Sequence, residues 1–182
     1  MSEEGRVTRG EFFRQFLKHA AGAVVPERAG EKAGDGVPDP PERPRPPWAV
    51  EDFLDKCDRC GDCASSCPTG VIAVHPETAG ERAGVPYLDF FASMCDFCGD
   101  CVAACKTGAL DKAEGAAKPG EAVILGSCLA NRGIVCDACV GYCCEEAIVA
   151  DAGGGVSIIA EKCTGCGACV LSCVGRSITI NP

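Results

Sequence analysis

The spacing of the cysteines constrains this chain more than any other feature. The run Cys57-Asp-Arg-Cys60-Gly-Asp-Cys63-Ala-Ser-Ser-Cys67 has the form C-x2-C-x2-C-x3-C, and the same form returns at Cys95, Cys98, Cys101 and Cys105 and at Cys163, Cys166, Cys169 and Cys173. A stretched copy, C-x7-C-x2-C-x3-C, occupies Cys128, Cys136, Cys139 and Cys143, and Cys144 alone stands outside the runs. This is the bacterial-type ligand run for 4Fe–4S clusters. Three cysteines at i, i+3 and i+6 form a loop whose thiolates converge on three corners of a cube. Gly61, Gly99 and Gly167 let the backbone approach closely and donate to sulfide. The fourth cysteine lies where the loop turns into a short helix, so it points elsewhere. Zinc would use two C-x2-C pairs and leave the third cysteine of each run without a role.

Composition narrows the class further. Seventeen cysteines in 182 residues would suit a secreted disulfide scaffold only with a signal peptide and a different spacing. The thiolate runs imply a reducing compartment. Aromatic residues make up only 5 % of the chain, so an apolar core alone would be marginal, and the clusters are expected to supply much of the folding free energy. The formal charge is −9, and four oxidised clusters with their thiolates would add roughly −8. So acidic a protein is unsuited to nucleic acid and suited to a basic patch on a protein partner. No stretch reaches the length of apolar residues that a membrane span needs.

The chain divides into four parts. Residues 1–25 hold an amphipathic helix over 8–24, with Phe12, Phe13, Phe16, Leu17, Ala20 and Ala21 at helical spacing; it either packs on the body or binds a partner. Thr8-Arg9-Gly10 resembles a twin-arginine signal but has Gly10 where the second arginine would stand. The expectation is a protein retained in the cytoplasm. Residues 26–48 read as a Pro-rich, extended linker, with seven prolines before Trp48. Trp48 either caps the apolar face of the first cysteine-rich unit or, with Arg45-Pro46-Pro47, offers a polyproline recognition site.

Two units of similar plan make up the rest of the chain, at 49–113 and 120–182. In the first, strand candidates at 70–75 and 85–90 lie between the runs, with a long loop over 76–84. In the second, strands at 122–125, 147–150, 156–160 and 177–180 alternate with the runs, and Asp-Ala-Gly-Gly-Gly at 151–155 closes a hairpin. Each unit reads as strand, cluster loop, short helix, hairpin, cluster loop, short helix, strand. The expected fold class is therefore α+β, two tandem bacterial two-cluster ferredoxin-like units behind an N-terminal helix and linker.

In two-cluster ferredoxins the fourth cysteine of each run ligates the other cluster. That rule predicts four sets. Cys57, Cys60, Cys63 and Cys105 form the first; Cys95, Cys98, Cys101 and Cys67 the second. Cys128, Cys136, Cys139 and Cys173 form the third; Cys163, Cys166, Cys169 and Cys143 the fourth. Four clusters are expected and three are the minimum, because the stretched run could be a degenerate site with Cys128 an ordinary strand cysteine. Lys106, Cys144 and Val174 stand where such runs usually carry proline, as Pro68 does here. Cys144 reads as a buried small hydrophobe in preference to a spare thiol. No nucleophile–base constellation, P-loop or dinucleotide fingerprint is present, so the chain is expected to carry electrons or clusters and not to act as an enzyme.

Arg45-Pro46-Pro47-Trp48, two regular runs, the stretched run opening Cys128-Leu129-Ala130 and the closing Cys163-Thr-Gly-Cys166-Gly-Ala-Cys169 occur here in that order. Over residues 45–182 this resembles the ferredoxin-type accessory proteins of the periplasmic nitrate reductase system. The resemblance implies a cytoplasmic protein that binds the precursor of the nitrate reductase catalytic subunit and takes part in its maturation before export. A dedicated electron carrier serving a redox partner protein is the alternative.

Overall fold

A computed structural model describes residues 42–182, which fall in one compact unit. The expected helix at 8–24 and the first part of the Pro-rich segment lie outside the described residues. Regular elements are short. Helix α1 spans Phe53–Lys56, α2 Asp62–Ser65, α3 Asp100–Ala104 and α4 Ala168–Ser172. Strands β1 (Ile72–Val74) and β2 (Pro86–Leu88) form one antiparallel hairpin, with Ile72 opposite Leu88. Strands β4 (Ile148–Ala150) and β5 (Val156–Ile158) form a second, with Ile148 opposite Ile158. Strand β3 (Glu121–Ile124) pairs with β6 (Ile178–Asn181) at the ends of the second half.

The three regular runs build their helices in the same way. Gly61, Gly99 and Gly167 sit at the N-caps of α2, α3 and α4 with φ of 78, 89 and 81°. That left-handed turn, which glycine adopts without steric cost, swings the chain from loop to helix and places the third cysteine in the first helical turn. The stretched run departs from the expected plan. Residues 138–142 form turns with no helix, while a single 3-10 turn, Ala130–Arg132, lies within the inserted loop. Asp137 stands where the others have glycine, and Gly141 interrupts the segment that would continue the helix.

Two further expectations are corrected. The last part of the Pro-rich segment is packed and does not behave as a linker: Pro44, Pro46 and Pro47 are buried. The Leu88 amide donates to the Pro44 carbonyl at 2.8 Å and the Trp48 amide to that of Ala116 at 2.7 Å. Trp48 meets Phe97 edge-on at 6.3 Å, with the Lys112 ammonium 4.7 Å from its ring centre, so it caps the first half, one of the two roles expected of it. The first half also lacks the closing strand pair of the second, and isolated bridges from Ala49 to Leu110 and Ala116 stand in its place.

The core is thin and shared with the cysteines. Phe53, Val71, Leu88, Leu110, Ile148, Ile178 and Ile180 are buried alongside Cys63, Cys95, Cys101, Cys128, Cys139 and Cys169. Ser177 is buried too, its hydroxyl 2.9 Å from that of Ser127 and donating to the Gly175 carbonyl.

Candidate iron–sulfur sites

The loops deliver their thiols to common spaces. Cys57, Cys60, Cys63 and Cys105 line one cavity of about 350 Å³, its mouth included, floored by Phe53 and Leu110. Cys128, Cys136, Cys139 and Cys173 line another of about 320 Å³ against Ala130 and Ile178. Cys143, Cys163, Cys166 and Cys169 line a third of about 350 Å³ against Ile148 and Ile180. Each of these three cavities thus takes three cysteines from one run and one from its partner run. In the remaining group, Cys95 lies within electrostatic reach of Cys101 and Cys67, and Cys101 of Cys98 and Cys67.

The electrostatics of the bare thiols describe what such a space needs. Burial, with the charge of Cys57 next, pushes the Cys63 thiol up to about 12; burial, then Cys166 and Cys163, does the same to Cys169. Burial first, and Cys101 among the later causes, raises Cys95 to about 11. Crowded thiols cannot all ionise in a low-dielectric space unless a cation compensates them. Iron provides that charge, and thiolate is its ligand in these clusters. Among the described residues no three Cys, His, Asp or Glu side chains converge closely enough for a single metal ion. Four cysteines stand around the walls of each of the three cavities, a donor set that fits a four-iron group.

The fourth cysteines are treated differently. The Leu110 amide donates to the Cys105 sulfur at 3.4 Å, the Ala147 amide to Cys143 at 3.2 Å and the Ser177 amide to Cys173 at 3.2 Å. The Thr69 hydroxyl lies 3.5 Å from the Cys67 sulfur and the Thr107 hydroxyl 3.6 Å from that of Cys105. For Cys67 and Cys105 burial opposes ionisation, but these hydroxyls and the neighbouring backbone amides outweigh it and bring both thiols below their ordinary range. Hydrogen bonds of this kind stabilise a thiolate and tune the metal group that it holds.

Sequence reasoning missed Thr69 and Thr107, although the signal was there: Cys-x-Thr-Gly occurs at both 67–70 and 105–108. It also misjudged Cys144, which is exposed and not buried. The two cysteines are adjacent in the chain, yet of the pair only Cys143 lines the cavity.

Residues 56–123 match the model of the 4Fe–4S dicluster domain. The chain is 39 % identical, over 75 % of its own length and 78 % of the relative's, to the ferredoxin-type protein NapF of Haemophilus influenzae. It is 32 % identical to the ferredoxin-type protein NapG of Escherichia coli, covering 72 % of this chain and 66 % of that one. It is 38 % identical to the methylamine utilization ferredoxin-type protein MauM of Methylorubrum extorquens, covering 71 and 67 %. No solved structure matches. None of the helices among the described residues is long and apolar enough to cross a membrane. Ligand-spaced cysteines gathered around cavities, a matched dicluster domain and a relative aligned over most of its length lead to one assignment: the chain belongs to the NapF/NapG-type ferredoxin proteins, a non-enzymatic family with 4Fe–4S dicluster domains.

Proposed function

We propose that this protein holds four 4Fe–4S clusters and acts in the cytoplasm on the precursor of the periplasmic nitrate reductase catalytic subunit, aiding its maturation before export. Its two ferredoxin-like units are residues 49–113 and 120–182. The four ligand sets are those expected from the swapped-ligand rule: Cys57, Cys60, Cys63 and Cys105; Cys95, Cys98, Cys101 and Cys67; Cys128, Cys136, Cys139 and Cys173; Cys163, Cys166, Cys169 and Cys143. The observation that carries the reading is the grouping of thiols from partner runs around common cavities, in a chain aligned with NapF over most of its length.

The clusters, when bound, supply one-electron redox chemistry. The chain's own residues do the rest. The cysteines fix the positions, the amides after each fourth cysteine and the hydroxyls of Thr69 and Thr107 balance the thiolate charge, and the small apolar core limits water.

A lasting partner contact is supported by the surface beside the stretched run. Val135 is fully exposed at 101 %, Ile134 is 54 % exposed and Val174, on the rim of the cavity lined by Cys128, Cys136, Cys139 and Cys173, is 75 % exposed. Side chains of this kind favour a bound protein surface over a purely charged encounter. The second reading is a dedicated electron carrier, since NapF, NapG and MauM are all named ferredoxin-type proteins. A pull-down with the full holo chain separates them. Retention of the nitrate reductase precursor is expected. A chain that ignores the precursor yet reduces a partner protein in stopped-flow mixing would establish the carrier reading instead.

A further inference from the structure

The two halves of the cysteine pattern meet at one well-defined seam. The Cys95 amide donates to the Cys166 carbonyl at 2.8 Å, tying the first cysteine of the second run to the second cysteine of the last. Beside this bond the buried ring of Phe90 lies over Gly167, whose φ is +81°; a methyl group there would overlap the ring. Only glycine satisfies both the left-handed turn and the close approach. Next to it the Arg176 guanidinium lies 5.4 Å from the centre of the Phe91 ring, a second link between the halves. Within the first half the runs are joined in another way, since Cys63 feels the charge of Cys101.

We propose that this seam makes the second and fourth cysteine sets inner neighbours, so that the sites run along the molecule in the order first, second, fourth, third. The inference rests on the four-cluster reading above. Spatial order then differs from chain order, and the stretched run with its apolar rim stands at one end while the first run stands at the other. Phe90 and Gly167 are positioning residues. They hold no ligand, but they let the Cys95 and Cys166 backbones touch. Two reduced, paramagnetic clusters held by touching loops couple magnetically more strongly than two with another site between them, and that difference is measurable.

Electron paramagnetic resonance of the dithionite-reduced full-length protein provides the test. The double variant Cys60→Ala, Cys136→Ala leaves the second and fourth sets complete; Cys60→Ala, Cys166→Ala leaves the second and third. Each should retain about eight irons, two four-iron groups. The first is expected to show spin–spin broadening and the second two independent signals. Coupling in the second variant without coupling in the first overturns the proposed order. Fewer than about sixteen irons in the unaltered chain would instead overturn the four-cluster reading on which the order rests. If a double variant loses further iron, hydrogen exchange on the unaltered holo protein decides. The Cys95 amide should exchange at least about a hundred-fold slower than an open amide, and exchange at the open rate overturns the seam.

Discussion

After each fourth cysteine the chain makes the same left-handed step three residues on, at Gly70, Gly108, Glu146 and Arg176, with φ of 67, 72, 50 and 46°. The step turns the next amides back toward the sulfur. Where glycine supplies it the geometry is free of strain; where Glu146 and Arg176 supply it the side chain adds a cost of about 1 kcal/mol. A Cβ at Gly108 would meet nothing within 4 Å, so Gly108→Ala carries only the conformational cost, about 1 kcal/mol. Faster bleaching of the visible cluster absorption in guanidinium should report it. The two threonines make a sharper prediction. Against a thiolate the hydroxyl is the donor, so it favours the more negative, reduced state. Thr69→Val and Thr107→Val should each lower the potential of the cluster held by the adjacent fourth cysteine. The shift is about 40 mV if one hydrogen bond contributes about 1 kcal/mol. An anaerobic redox titration that finds both potentials unmoved would contradict the role given to these side chains. That the cysteines of partner runs gather around common cavities was legible from their spacing, because a short spacing holds neighbouring thiols on one loop. The left-handed step was not, because two of its four instances carry Glu146 and Arg176 in place of glycine.

No element here stands alone. Helices of four or five residues and two-stranded hairpins are each too small to persist in water, and the buried side chains that join them include six cysteines. Anaerobic removal of iron should therefore collapse the far-ultraviolet circular dichroism toward that of an unfolded chain; a native-like spectrum after chelation would contradict this. The hairpins were legible because apolar alternation is bounded by turn residues, as in Val156–Ile158 after the triple glycine. The helix expected in the stretched run was not formed, since Asp137 replaces the glycine on which α2, α3 and α4 begin. The packed end of the Pro-rich segment was misread for a related reason. Composition marks a linker, but it cannot say that Pro46 and Pro47 are buried and that Pro44 receives the Leu88 amide. Replacing both Pro46 and Pro47 with serine should destabilise the first half by roughly 2 kcal/mol through lost apolar burial and exposed hydroxyls, read as accelerated cluster loss.

At the scale of the whole molecule, charge and cluster content set how the protein meets others. A formal charge of −9, which the four proposed clusters would deepen by about −8, favours basic surfaces, and the association rate with a basic partner should fall as salt rises. The exposed Val135 and Val174 then give the contact an apolar part that salt does not weaken. A cluster held among Cys128, Cys136, Cys139 and Cys173 would supply about −2 of the added charge and tie down the loop that carries Val135. Iron and acid-labile sulfide analysis of the anaerobically purified full chain tests this directly. About sixteen of each per chain are expected, falling to about twelve in Cys136→Ala. Twelve in the unaltered chain, unchanged by that substitution, would contradict the four-cluster account.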